Sequence, residues 1–395
     1  MRLEAAGWDP AWKQQFEPHA AAGMQPGRIF TRNRHIYGVY CLAGEMLAEV
    51  SGAFAHGALP NEFPAVGDWV AFRPSEAFGP GEVGGPSEAF RPGVAGGPTA
   101  EQKTGQTTEH TTEQKTGPAI IHALLPRRTK LARKVAGNAT EEQVIAANVD
   151  VLFIVCGLDL DYNLRRLERY VVAAGESGTA VVLVLNKADL CEDIEARMAE
   201  IRTVAAGHPI VTLSAIADGA TAALYPYFQA GKTAALLGSS GAGKSTIVNG
   251  LLGDARQPVQ PTREADGRGR HTTTSRELFL LPNGGLILDN PGIRELQLWP
   301  EQASVVQAFP EIEALAALCA FRNCGHQGDE GCAVQAALLS GELDEGRWNS
   351  YLKLHKELRR VTVSVDENAR RKEKKRVKKL CGDAKRFDKR SADER

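Results

Sequence analysis

No apolar run in the 395 residues approaches the roughly 18 that a membrane-spanning helix needs, so no membrane partner is expected. The stretch Met1 to Pro18 carries Glu4, Asp9 and Glu17 and lacks an apolar segment of the kind a secretory leader has. A cytoplasmic protein, and a monomer, is the expectation. Cysteine is sparse and odd in number, at seven, which argues against a disulfide framework. Neither sign of charge dominates, with 47 Lys+Arg against 48 Asp+Glu. Ser75–Gly117 contains no Ile or Leu. A segment so poor in apolar side chains cannot bury enough surface to offset its ordering entropy. It contains repeats instead, SEAFGPGEVGGP (75–86) with SEAFRPGVAGGP (87–98), and AEQKTG (100–105) with TEQKTG (112–117). A disordered insertion in a loop is expected there.

What is present is ordinary for a globular protein: 43% hydrophobic and 24% charged residues, with length for two or three domains. The balanced charge hides an asymmetry. Lys356–Arg390 holds 15 Lys/Arg and 6 Asp/Glu, so a basic tail follows an acidic body. Such tails contact nucleic acid through phosphate attraction.

The chain divides by pattern. Residues 28–42, 45–52 and 68–74 read as strands of a small β-barrel, joined by another at 119–127. Arg28, Phe30, Arg32, Arg34, His35, Tyr37 and Tyr40 mix cations with aromatics, as RNA-binding surfaces do; Arg28, Arg32, Arg34 and Tyr37 are the candidate RNA contacts. From Asn148 the pattern becomes α/β. Continuous apolar runs at 149–155, 180–190, 209–215 and 232–238 read as buried parallel strands. Helical periods at 163–175 and 192–206 alternate with them, and 278–292 reads as a hairpin-like pair. This is a mostly parallel, doubly wound sheet. After Trp299 the chain is largely helical. The expected units are 1–135 with the insertion at 75–117, then 140–297, 298–360 and the tail 361–395.

Four motifs mark a nucleotide site, and a cysteine cluster follows them. Gly238, Ser239, Ser240, Gly241, Ala242, Gly243, Lys244 and Ser245 fit GxxxxGK[ST], between an apolar strand and a helix that continues through Thr246. Glycines there let backbone N–H groups turn toward phosphate oxygens, and the helix N-terminus adds positive potential. Lys244 would reach the β- and γ-phosphates as a catalytic cation, and Ser245 would hold Mg²⁺. Asn186-Lys187-Ala188-Asp189 fits NKxD at the end of a buried strand. An Asp in that position accepts both the N1–H and the 2-amino hydrogens of guanine, and an adenine would leave it unpaired. Lys187 would lie along the ring, and Asn186 would tie this loop to the phosphate loop. Ser214-Ala215 offers backbone to the guanine oxygen. Asp289-Asn-Pro-Gly292 fits DxxG, with Asp289 toward Mg²⁺ and Gly292 toward the γ-phosphate. GTP and GDP are the ligands this set implies. Ordinary small GTPases run phosphate loop, DxxG, NKxD, SA. Here NKxD and SA precede the phosphate loop and DxxG comes last, so the domain is circularly permuted. Farther on, Cys319, Cys324, His326 and Cys332 form a complete Cys₃His set for one structural, tetrahedral Zn²⁺.

With these motifs in this order, the chain resembles the circularly permuted ribosome small-subunit-dependent GTPase family (RsgA/YjeQ). FPAVGDWVAF (63–72), NKADL (186–190), GSSGAGKST (238–246), GRHTTT (269–274), DNPGIREL (289–296) and the zinc cluster carry the likeness. The resemblance implies an N-terminal OB-fold, a central P-loop GTPase domain and a C-terminal α-helical zinc-binding domain. It also implies the 30S subunit and its 16S rRNA as partners, late maturation of that subunit as the task, and GTP hydrolysis stimulated by it. His271 resembles the family's candidate water-positioning residue. One of Thr272–Thr274 should meet Mg²⁺ and the γ-phosphate, with Thr273 taken here. Two positions depart from ordinary patterns. Asn290 stands where the family usually has Thr. Ile293 stands where Ras-like enzymes place a water-orienting Gln, so slow intrinsic turnover is expected. The competing reading is an RNA-binding guanine-nucleotide sensor with negligible turnover.

Overall fold

The structure, a computed structural model, describes residues 2–75, 118–134, 142–175, 177–253, 276–289, 305, 308–322, 324–326 and 328–358. The insertion beyond Ser75, the basic tail from residue 359, the segment holding His271 and Thr272–Thr274, and Asn290–Ile293 lie outside the described residues.

The first 125 residues contain a closed barrel. Strands β1 (Gln25–Asn33), β2 (Ile36–Cys41), β3 (Gly44–Val50), β4 (Trp69–Arg73) and β5 (Ala119–Leu124) run in the order β1-β2-β3-β5-β4 and back to β1. Helix α1 (Pro10–Ala21) precedes it, and the short α2 (Gly52–Gly57) sits between β3 and β4. All barrel pairs are antiparallel except β3–β5. Alternation fills the inside with Ile29, Tyr37, Val39, Val70, Phe72 and Ile121. The outward Trp69 and Ala71 are covered by Trp12 and Phe16 of α1. That helix starts where Asp9 Oδ1 accepts the Trp12 N–H at 2.9 Å, with Pro10 in its first turn. Residues 28–42, expected as one strand, are instead a hairpin. Arg34 turns it in the left-handed region at φ 53°.

That hairpin corrects two expected RNA contacts. Arg28 is 2% exposed and Tyr37 1%. The Tyr37 ring fills the barrel, and burial pushes its phenol up. The Arg28 guanidinium is spent on the protein itself, donating to Gly67 O, Ala6 O, Asn148 O and Thr233 Oγ1. Neither side chain has surface to offer RNA. Phe30 and Tyr40 stack on each other at 4.3 Å and join the apolar cluster of the neighbouring α/β domain. Arg32 is half-buried, donating to Pro64 O at 3.0 Å and lying over the Tyr37 ring. Arg34 and His35 are exposed at the hairpin tip.

A two-stranded ribbon of β6 (Lys130–Lys134) and β7 (Glu142–Ala147) leads to the α/β domain. Its strands are β8 (Val151–Gly157), β9 (Ala180–Asn186), β10 (Ile210–Thr212), β11 (Thr233–Gly238), β12 (Glu277–Leu280) and β13 (Leu286–Asp289). They run β10-β9-β8-β11-β13-β12, all parallel except β12, and one β12–β1 pairing, Glu277 to Thr31, makes the barrel and this sheet continuous. Every residue of β11, and all but Val151 of β8, is buried. A sheet covered on both faces demands such unbroken apolar runs. Helix α5 (Lys244–Leu252) packs on one face with Phe153, Val155, Val184 and Leu213. Helices α3 (Leu164–Gly175) and α4 (Ile194–Arg202) pack on the other.

The α3 face also holds the C-terminal helices α6 (Pro310–Ala317), α7 (Ala333–Ser340) and α8 (345–358). Their apolar residues Phe309, Ile312, Val334 and Trp348 belong to the same cluster as Leu167 and Val171 of α3. A buried charge network lies across this junction. Glu168 is 1% exposed and accepts from Arg347 and from the Ser350 hydroxyl. Arg347 also donates to Glu311 at 2.6 Å and to Ala308 O at 2.7 Å.

Candidate nucleotide site and metal centre

The sequence-marked loops converge at the C-terminal edge of the parallel strands, where ligands of open α/β sheets bind. Gly157 ends β8, Asn186 ends β9, Gly238 ends β11 and Asp289 ends β13. From Gly238 the chain turns through Ser239, Ser240, Gly241 and Ala242 into α5, which begins at Lys244 and continues through Ser245 and Thr246. Gly243 has φ 94°, and a Cβ there would lie 2.0 Å from Asn186 Nδ2. Only glycine permits that approach.

Asn186 is 2% exposed and fastens three loops together. Its Nδ2 donates to Ala242 O at 2.9 Å, and its Oδ1 accepts the Ala215 N–H at 2.9 Å. The tie to the phosphate loop expected of it is present, and a second tie, to Ala215, comes with it. The next residue, Lys187, takes the left-handed conformation at φ 62°. Asp189 accepts a hydrogen bond from the Ser214 hydroxyl. Lys244 Nζ arches back over its own loop to Gly238 O at 2.9 Å and Ser239 O at 2.6 Å. Asp289 is 4% exposed at the end of β13, beside the strand that carries the phosphate loop. Of the residues assigned to nucleotide and Mg²⁺, Gly292, His271 and Thr273 lie outside the described residues.

The sequence reading passed over two acidic residues in the loop after β8. Asp159 Oδ2 pairs with Lys187 Nζ at 2.5 Å, and Asp161 Oδ2 accepts the Ser239 hydroxyl at 2.5 Å. Among charged loop residues nothing in the string GLDLDYN marks them; only the fold brings them to the two motifs.

The cysteine cluster assembles as its spacing requires. The ligand atoms of Cys319, Cys324, His326 and Cys332 all lie within 4.8 Å of one another. Cys319 Sγ is 3.9 Å from Cys332 Sγ and 3.5 Å from His326 Nδ1, which is 3.4 Å from Cys332 Sγ. Metal–sulfur bonds of about 2.3 Å and metal–nitrogen bonds of about 2.0 Å give tetrahedral edges of about 3.8 and 3.5 Å. Cys319, His326 and Cys332 therefore stand at spacings that suit one Zn²⁺, with Cys324 Sγ within 4.8 Å of each. Supporting contacts orient them: Gln335 Nε2 donates to His326 O at 2.7 Å, and Asp329 accepts from the Gly325 N–H at 2.7 Å. Cys332 also caps α7.

A phosphate loop on a central strand, NKxD and SA loops tied to it by one asparagine, and strands reached in the order β8 to β13 define a circularly permuted P-loop GTPase domain. Comparison with known proteins narrows this class. The family model RsgA GTPase matches residues 124–299. A "Small ribosomal subunit biogenesis GTPase RsgA" of Opitutus terrae is 43% identical over 385 residues, covering 96% of each chain. A protein of the same name from Leptospira interrogans is 38% identical over 382 residues, 96% of this chain and 94% of that one. The chain belongs to the RsgA GTPase family. Solved structures agree in fold. YjeQ from Thermotoga maritima superposes with TM-score 0.54 at 22% identity, over 85% of this chain and 98% of that one. YloQ, described as a circularly permuted GTPase, does so with TM-score 0.50 at 21% identity.

Proposed function

We propose that this protein hydrolyses GTP and, bound to the small (30S) ribosomal subunit, acts in its late maturation, with the subunit stimulating hydrolysis. The observation that carries the reading is Asn186, which locks a guanine-type NKxD loop to a phosphate loop in a chain whose full-length relatives bear the biogenesis-GTPase name. Asp189 reads the guanine N1–H and 2-amino group, Lys187 lies along the base, and the Ala215 backbone meets the guanine oxygen. Backbone N–H groups of 239–243 hold the phosphates, and Lys244 offsets charge on the β- and γ-phosphates. Ser245, Asp289 and Thr273 would hold Mg²⁺, which neutralises charge on the transferred phosphoryl group. Gly292 senses the γ-phosphate, and His271 orients the attacking water, supplying what Ile293 cannot. The Cys₃His set holds a structural Zn²⁺. The units 1–135, 140–297, 298–360 and 361–395 act as RNA-contacting barrel, GTPase, zinc module and basic tail. With Arg28 and Tyr37 withdrawn, the exposed Arg34 and half-buried Arg32 remain as barrel contacts for 16S rRNA.

The test is GTP turnover by the purified protein alone and with 30S, 50S or 70S particles, with Lys244→Ala as control. Stimulation by 30S alone, lost in the control, supports the proposal. Equal, slow turnover in every mixture sinks it and leaves a nucleotide sensor.

A further inference from the structure

The loop between β8 and α3 runs along the side of the nucleotide site and touches both of its halves. At its start the Leu158 N–H donates to Asn186 O at 2.8 Å. Asp159 then folds back on Lys187. A Cβ on Gly157 would come within 2.8 Å of Asp159 Oδ1, so the glycine leaves room for that fold. The Asp161 N–H donates to Asp159 Oδ1 at 3.2 Å, which fixes the carboxylate from the other side. Asp161 grips Ser239 of the phosphate loop and is itself paired with Arg166 at 2.9 Å. Both members of the Lys187–Asp159 pair are mostly buried, at 19% and 17% exposed.

A lysine has a flexible four-carbon stem and a strongly hydrated ammonium. Left to itself it would sample many rotamers, most of them off the plane a base occupies. Lys187 is held in one place, because a carboxylate fixed by the Asp161 N–H receives its ammonium. We infer that Asp159 is a positioning residue for the nucleotide: it holds the Lys187 stem where the guanine plane lies, from a loop whose far end is anchored on the phosphate loop. This rests on the reading of the site as one for guanine nucleotides. The contact exists irrespective of the γ-phosphate, so it contributes equally to GDP and GTP and to the transition state. Binding of that uniform kind sets KM and leaves kcat alone.

The test uses the full-length protein and fluorescent mant-GDP. Asp159→Asn weakens mant-GDP and mant-GTP binding alike, by about ten-fold, the low end for a charge-assisted hydrogen bond that is not fully buried. KM for GTP rises by a similar factor and kcat stays within two-fold. Unlabelled GDP and IDP, competed against mant-GDP, keep their wild-type affinity ratio, because Asp189, which senses the 2-amino group, is untouched. A general collapse of the pocket would lower that ratio. In a Lys187→Met background Asp159→Asn adds nothing, as a residue acting through Lys187 requires. Unchanged or tighter binding by Asp159→Asn overturns the inference, as does a full effect in the Lys187→Met background. Failure of the wild-type protein to bind mant-GDP overturns the guanine-nucleotide reading instead.

Discussion

Among the described residues no carboxylate pairs directly with Arg28, a cation sealed at the seam of three parts of the chain. Its guanidinium meets carbonyls from the N-terminal turn (Ala6), the loop before β4 (Gly67) and the start of the α/β domain (Asn148), plus the Thr233 hydroxyl on β11. Burial brings its pKa down to about 10, so it stays charged at neutral pH, helped by Asp150 and Asp68 nearby. Arg28→Ala strands several buried acceptors and removes packing against Trp69. A loss of about 2–4 kcal/mol is expected, read from urea unfolding. RNA affinity of the folded variant should equal that of the wild type, whereas an RNA contact would lose affinity and leave stability unchanged. An arginine among aromatics in a strand looks the same from the sequence whether it faces RNA or a domain seam, since burial of one face depends on what docks there. Asn186, Asp189 and the phosphate loop were legible for the opposite reason. Those motifs encode backbone geometry and a hydrogen-bond pattern that few other arrangements satisfy. The left-handed Lys187 and the glycine beneath Asn186 are the physical content of those strings.

At the scale of elements, α3 connects the two ends of the α/β domain's business. Its N-terminal loop touches the nucleotide motifs, and its body receives the C-terminal helices through Glu168, Arg165 and Arg169. The apolar period of 163–175 announced the helix, and nothing in that period marked Glu168 as buried. Its partner Arg347 lies 179 residues away, so no local pattern revealed that the carboxylate is buried. Among the described residues, Glu168→Ala leaves Arg347 in the seam with only the half-exposed Glu311 as counter-charge. Breaking one side of such a pair costs about 3 kcal/mol. Hydrogen exchange is the appropriate measurement. Residues 345–358 should lose protection while β11 and α5 keep theirs. Equal protection in wild type and variant would mean that apolar packing alone holds the helices.

Across the whole molecule, the sheet separates two apolar cores that answer to different ligands. The face with α5 contains Ala242 of the phosphate loop together with Ile247, Val248 and Leu213. The face with α3 is continuous with the metal module, since Cys332, Val334, Phe309 and Trp348 share one cluster with Leu167, Val171 and Ile154. The ring of His326 meets Trp348 edge-on at 5.9 Å, which places one residue of the Cys₃His set directly against α8. Structural Zn²⁺ contributes about 10–16 kcal/mol in small zinc modules, comparable to the entire stability of a domain. Taking the metal away with a chelator, or replacing Cys332 by Ala, should therefore unfold α6–α8 and their cover over α3. The nucleotide loops hang from the other core and from Asn186, so mant-GDP affinity should stay within about two-fold. If the proposed function holds and the Cys₃His module takes part in docking on the subunit, stimulation of GTP turnover by 30S particles should disappear with it. Measuring affinity and stimulation on the same metal-depleted sample separates the two cores. A parallel collapse of nucleotide affinity would mean that the sheet transmits the loss from one face to the other. Retained stimulation would mean that the barrel and the α/β domain suffice for activation.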